Sequence, residues 1–247
     1  MSGHSKWSTI KRKKGAADQK RSKVFSRIIK EISVAVKEGG ADPDGNPRLR
    51  LALNNARGAN MPKDNIQRAL TKAKDADALQ ELTYEGYASN GIAVFVECMT
   101  DNAQRTVSSI RSIFSKRGGN LATNGSVAFM FERKGSIRIP KASFDPDELQ
   151  LEIIDYGVDD FEEQDDAFII TTPIDGFSPV QKRLEELSIE VENAELLRIP
   201  VETKKLDPES GLKVLKLIEQ LEDDEDVQNV FHNLEITDEL LEAIEES

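Results

Sequence analysis

Residues 135–172 read GSIRIPKASFDPDELQLEIIDYGVDDFEEQDDAFIITT, and the order of periods in this stretch decides the fold. SIRIP, Ser136–Pro140, has the short alternation of a strand. Asp145 to Tyr156 switches to a helical period that places Leu149, Ile153 and Ile154 inward. VDDFEEQ and AFIITT then pair as a hairpin around Asp165-Asp166. Downstream, Ser178-Pro179 opens a second helix through Val180, Leu184 and Leu187, and IEVENAELLRIP returns as a strand. Strand, helix, two strands, helix and strand is the ferredoxin-like order, and it assigns 135–202 to one such unit.

Working outward, Ile92, Val94, Val96 and Cys98 alternate as a strand. A helix follows from about Asp101 with Val107, Ile110, Ile113 and Phe114 inward, and Gly118-Gly119 stops it. Val127, Phe129 and Phe131 supply a further strand. Beyond 202 come a helix with Leu212, Leu215, Ile218 and Leu221 inward, the strand VQNVFHNLEI, and a last helix capped by Thr237 or Asp238.

Toward the N-terminus the pattern is purely helical. From Asp18, a plausible N-cap, a stripe of Val24, Phe25, Ile28, Ile29, Ile32 and Val36 runs to Gly39-Gly40. Asn46-Pro47 reads as cap and first residue of a helix through Leu49, Leu53 and Ala56. Gly58 to Pro62 breaks it, and Asp64 to Lys74 forms a third helix over Ile66, Ala69 and Leu70. Residues 1–80 are thus a basic arm plus a helical domain, and the class is α+β.

The 247 residues are 38% hydrophobic, enough for cores, and no apolar run nears the ~18 residues of a membrane span. The N-terminal charges precede no apolar stretch, so they do not read as a secretory signal, and a mitochondrial presequence is a weaker reading. The single cysteine, Cys98, permits no internal disulfide, which fits a cytoplasmic protein. The net charge of -12 hides an asymmetry. Residues 1–80 hold 18 Lys and Arg against 8 Asp and Glu, whereas residues 81–247 hold 15 against 37. A basic front that meets a polyanion and an acidic body that repels it is the reading preferred over chance clustering on solvated faces.

Catalytic inventory is thin. His4 and His232 are the only histidines, and Cys98 reads as a packed thiol. No Gly-x-x-x-x-Gly-Lys phosphate loop occurs. Glu222–Asp226 could attract a divalent cation but is read as a solvated helix end, and Asp42–Asn46 as a turn and cap. A processed Ser2-Gly3-His4 terminus could hold Cu(II) or Ni(II) in a square plane. No catalytic residue, metal site or cofactor is assigned.

The electrostatic pattern says more. Lys6, Lys11, Arg12, Lys13, Lys14, Lys20, Arg21, Lys23 and Arg27 are assigned as nucleic-acid contacts, since each phosphate neutralised releases counterions. Trp7 joins them as a platform for an unpaired base, or else anchors the arm to the helical domain. Lys30 closes the same basic run, and Arg48, Arg50, Arg57, Lys63, Arg68, Lys72 and Lys74 extend the positive surface over the second and third helices. No broad apolar face beyond the core stripe accompanies these charges, so a membrane is not the expected partner.

SGHSKW, NMPKDNI at Asn60–Ile66, YEGY at Tyr84–Tyr87, TDN at Thr100–Asn102 and RTV at Arg105–Val107 form one set with three later motifs. Those are GGNL at Gly118–Leu121, GSVAFMF at Gly125–Phe131 and DVQNVFHN at Asp226–Asn233. Together they strongly resemble the YebC/PmpR family, which includes mitochondrial translational activators of cytochrome c oxidase. The match runs nearly end to end and is thinnest across 136–200. Where the family usually has Gly-Pro-Gly-Gly after YEGY, this chain has Ala88-Ser89-Asn90-Gly91. The resemblance implies three domains: the helical one, a middle α+β domain of 81–134 and 203–247, and the ferredoxin-like domain inserted in it. It further implies a regulator that binds DNA in transcription. The alternative is a translation factor that docks on ribosomal RNA, and no oligomeric state is implied.

Overall fold

The computed structural model describes residues 17–75, 79–141, 144–164 and 166–245. Lys6, Trp7, Lys11, Arg12, Lys13, Lys14 and His4 lie outside the described residues, as does Asp165, where the sequence placed a hairpin turn. The chain divides into two compact units, each assembled from separate stretches of the sequence.

In one unit, Leu79–Glu132 and Ile199–Ser247 come together. Strands β1 (Gln80–Tyr87), β2 (Ala93–Thr100), β3 (Asn120–Leu121) and β8 (Val227–His232) make an antiparallel sheet of order β3-β1-β2-β8. Over it lie α4 (Ala103–Lys116), α7 (Pro208–Asp223) and α8 (Asp238–Glu245). Ile92, Val94, Val96 and Cys98 meet Ile110, Phe114, Leu217 and Ile218 in a closed core, so the alternation seen in sequence is the helix-facing side of β2. Phe95 and Met99 on the other side are buried too, as expected of a central strand. Strand β1 had no counterpart in the sequence reading. Its pattern is masked because Glu85, a charged residue, is 3% exposed, and Gly86 lies under the Phe114 ring. The Ala88–Gly91 departure forms a 3-10 turn in which Asn90 takes φ 59° and Gly91 φ 70°. Asn tolerates that left-handed conformation better than most side chains. Thr237, not Asp238, caps α8: its Oγ1 accepts from the Leu240 amide at 3.3 Å.

Two expectations fail between these elements. Val127 and Phe129 belong to no strand; Ala128–Met130 is a 3-10 turn and Phe129 is 76% exposed. The strand begins at Phe131 and runs unbroken as β4 (Phe131–Pro140), absorbing SIRIP.

The second unit joins Asp18–Ala78 to Arg133–Arg198. Strands β5 (Asp160–Glu163), β6 (Ala167–Thr172) and β7 (Asn193–Pro200) complete a sheet of order β5-β6-β4-β7, with α5 (Pro146–Ile153) and α6 (Ile174–Glu186) in the connections. This is the ferredoxin-like strand order. Ile137, Ile139, Leu149, Ile153, Ile170, Val180 and Leu184 close its core. Ile154 points away from that core at 60% exposure, because α5 ends at Ile153 and tightens into a 3-10 turn over Ile154–Tyr156. Helix α6 begins four residues before Ser178, with Pro179 inside it. Gly176 in its first turn packs against the Gly157 carbonyl, a fit that favours the earlier start.

The remaining helices are α1 (Ala17–Gly39), α2 (Pro47–Gly58) and α3 (Lys63–Asp75). Ile32, Ala35, Val36, Leu49, Ala52, Leu53 and Ala69 form their core, while Val24 and Ile29 of the expected stripe are 42% and 39% exposed. Asn46 caps α2 as its sequence suggests. Its Oδ1 accepts from the Leu49 amide at 3.0 Å, and its Nδ2 donates to the carbonyls of Ala35 and Gly40. These helices and the ferredoxin-like sheet meet at one edge. Asn55 Nδ2 donates to the Ala194 carbonyl at 2.7 Å while its Oδ1 accepts from the Ala194 amide at 2.9 Å. The side-chain amide thus stands in for a neighbouring strand on edge strand β7. Leu51 adds apolar contact to the core beneath.

Candidate nucleic-acid interface

Helix α1 carries the described members of the assigned contact set. The backbone of Lys20 lies in its first turns. Arg21 reaches across to donate from Nη2 to the Asn60 carbonyl at 3.2 Å, with its guanidinium 5.4 Å from the centre of the Phe25 ring. Lys23 is exposed on the same helix and Arg27 half-buried. Asn60, at φ 54°, sits in the link between α2 and α3, flanked by exposed Arg57 and Lys63. The α1 basic turn and the α2–α3 link therefore bring Arg21, Arg57 and Lys63 to one region of the helical domain, a grouping that sequence spacing alone hides.

Other cations have internal duties. Arg48 pairs with Glu31 at 2.7 Å and Glu38 at 2.8 Å, tying α2 to α1. Arg50 donates to the carbonyls of Pro43 and Asp44, closing the turn before α2. Both therefore brace the domain, while Arg50 stays exposed. Arg68 also folds back, onto the Asp64 carbonyl and Asn65 Oδ1, yet stays exposed beside Gln67, Thr71 and Lys72 on the outer face of α3.

Four of the motifs that carry the family resemblance, TDN, RTV, YEGY and DVQNVFHN, prove architectural. Thr100-Asp101-Asn102 begins α4: Asn102 Oδ1 accepts from the Arg105 amide at 3.0 Å, and Thr100 Oγ1 from the Asn102 amide at 2.9 Å. Asp226 then takes the Arg105 guanidinium at 2.9 Å and the Thr106 hydroxyl at 2.9 Å, binding β8 to that helix start. Hydrogen bonds to Asp226 first, then Asp101, raise the Arg105 pKa above its ordinary value. Glu85 of YEGY accepts from the amides of Gly125, Val127 and Ala128 at 2.7, 2.6 and 2.9 Å, fixing the GSVAF loop. Asn233 Oδ1 accepts from the Ala93 amide at 2.9 Å. His232 and Cys98 are buried at 1% and 2% exposure. Among the described residues no group of three His, Cys, Asp or Glu side chains is placed to hold a metal, and no helix is long and apolar enough to cross a membrane.

Fold and site together define an α+β protein with a basic helical domain, a ferredoxin-like domain and a further antiparallel sheet packed under helices. Residues 5–76 match the TACO1/YebC protein N-terminal domain, and residues 79–234 the TACO1/YebC second and third domain. The chain belongs to the TACO1/YebC family. A relative from Chlorobaculum parvum, named "Probable transcriptional regulatory protein", is 48% identical across 100% of both chains. One of the same description from Geobacter sp. strain M21 is 49% identical over 99% of this chain and 100% of its own. A conserved hypothetical protein from Aquifex aeolicus has a crystal structure that matches at TM-score 0.82 and 41% identity, covering 92% of this chain and 95% of that one.

Proposed function

We propose that this protein is a non-enzymatic, cytoplasmic regulator of transcription that binds DNA through its basic arm and helical domain. The observation that carries the reading is the charge split: 18 cations against 8 acids in residues 1–80, in a chain whose net charge is -12. The relatives' names supply the process, and the gathering of Arg21, Arg57 and Lys63 about Asn60 supports a contact face. Lys6, Lys11, Arg12, Lys13, Lys14, Lys20, Arg21, Lys23 and Arg27 are assigned phosphate contacts, and Trp7 a stacking contact. Sequence reading is left to helix side chains, although α2 and α3 join through Gly58–Pro62 without the tight turn of a helix-turn-helix.

The test replaces Lys11, Arg12, Lys13 and Lys14 with alanine and measures affinity for duplex DNA and for a ribosomal RNA fragment over a salt series. Loss of four phosphate contacts lowers the slope of log K against log salt by about 3–4 on duplex DNA. Unchanged slopes on both acids would sink the arm assignment. Cosedimentation with ribosomes at physiological salt, without enrichment at promoters, would replace DNA by ribosomal RNA as the target.

A further inference from the structure

Residues 133–198 hold 17 Asp and Glu against 7 Lys and Arg, a surface hostile to any polyanion. Yet this domain concentrates exposed apolar side chains. Leu151, Ile154 and Tyr156 are 74%, 60% and 39% exposed, three of the eight large hydrophobics so exposed among the described residues, within six positions. Leu151 and Ile154, three apart, share the outward side of α5 and its 3-10 extension. A fourth, Ile174 at 48%, begins α6, whose Gly176 lies against Gly157, so it reaches the same end of the domain. Tyr156 is braced by the Arg183 guanidinium 5.9 Å from its ring, and Arg183 is itself paired with Glu152 and Glu186. Asp147, Glu148, Glu152 and Asp155 border the stripe.

We propose that the Leu151–Ile154–Tyr156 stripe is a docking surface for a basic protein segment that interleaves apolar residues with Lys or Arg. The acidic border selects this occupant. Nucleic acid and anionic lipid would be repelled, and an isologous pairing with a second copy would set like charges against each other. The braced tyrosine lowers the ordering cost of binding.

The experiment measures fluorescence anisotropy of a labelled amphipathic helical peptide of leucine and lysine, titrated with the full chain. Leu151→Ser with Ile154→Ser is expected to weaken binding by roughly tenfold or more per side chain, with the thermal transition unchanged or raised. Asp147→Asn with Asp155→Asn is expected to weaken it and flatten its salt dependence. Should the serine pair bind as tightly as the parent, the attraction belongs to the acidic body at large and the proposal falls. It falls equally if the parent does not bind the peptide, or if sedimentation shows a dimer that the serine pair converts to monomer.

Discussion

Gly58→Ala tests whether the helical domain is seated on the ferredoxin-like sheet as described. An ideal Cβ at Gly58 would lie 1.8 Å from the Glu192 carbonyl oxygen and 2.6 Å from its carbon, both backbone atoms with no rotamer to yield. Restoring ordinary contact, about 3.5 Å between heavy atoms, moves α2 away from the chain entering β7 by well over an ångström. The paired bonds between Asn55 and Ala194, at 2.7 and 2.9 Å, then open. Their loss costs about 1 kcal/mol each, and overpacking adds about 1–3 kcal/mol. Against this, alanine is favoured over glycine in a helix by up to about 1 kcal/mol. The expected net destabilisation is therefore about 2–4 kcal/mol by urea denaturation of the full chain. Because Asn55→Ala removes the same bonds, the double variant should lose less than the two single losses combined. A Gly58→Ala protein more stable than the parent, or strict additivity with Asn55→Ala, would refute the close approach.

Two further outcomes follow from the other unit. Glu85→Gln keeps an oxygen for the Val127 and Ala128 amides but turns an NH2 toward the Gly125 amide, so stability should fall by about 2–3 kcal/mol. Hydrogen exchange at 125–128 should rise more than in β2, and equal protection throughout would contradict the pinning role. Burial first, then the proximity of Cys98 and Asp226, raises the Tyr84 hydroxyl above its ordinary value. A raised folded pKa means this contribution is complete below about pH 10 and is lost as pH climbs through the folded value. Denaturant midpoints between about pH 9 and 11 should fall less for Tyr84→Phe than for the parent; parallel falls would count against it.

Periodicity made legible those elements whose one side is apolar and whose other side is polar. The β-α-β-β-α-β order and the α4 stripe belong to that group, and cap chemistry in Asn46-Pro47 marked the start of α2. Periodicity failed where burial is decided by partners distant in sequence. Glu85 hid β1 because its carboxylate is satisfied by amides some forty residues away, which no local pattern announces. Ile154 looked inward because a helix was extended one turn too far, and Phe129 looked like strand because alternation alone cannot tell a strand from a tight turn. At the candidate interface, charge count located the basic end of the chain but could not separate Arg48 and Arg50, committed to Glu31, Glu38 and turn carbonyls, from outward-facing Arg57 and Lys63.

The family motifs sharpen this division of labour. Residues of TDN, RTV, YEGY and DVQNVFHN converge on helix caps, a pinned loop and the seam between β8 and α4, so these motifs first fix a scaffold. On the function proposed above, a scaffold signature travels with the fold whichever nucleic acid is the target, and fold likeness alone does not choose between DNA and RNA. The choosing residues should lie away from those four motifs: among the arm cations, on the outer face of α3, and around Asn60 in NMPKDNI. Substitutions there should alter affinity and salt dependence with little effect on stability, whereas substitutions at Asn102, Asp226 or Glu85 should do the reverse.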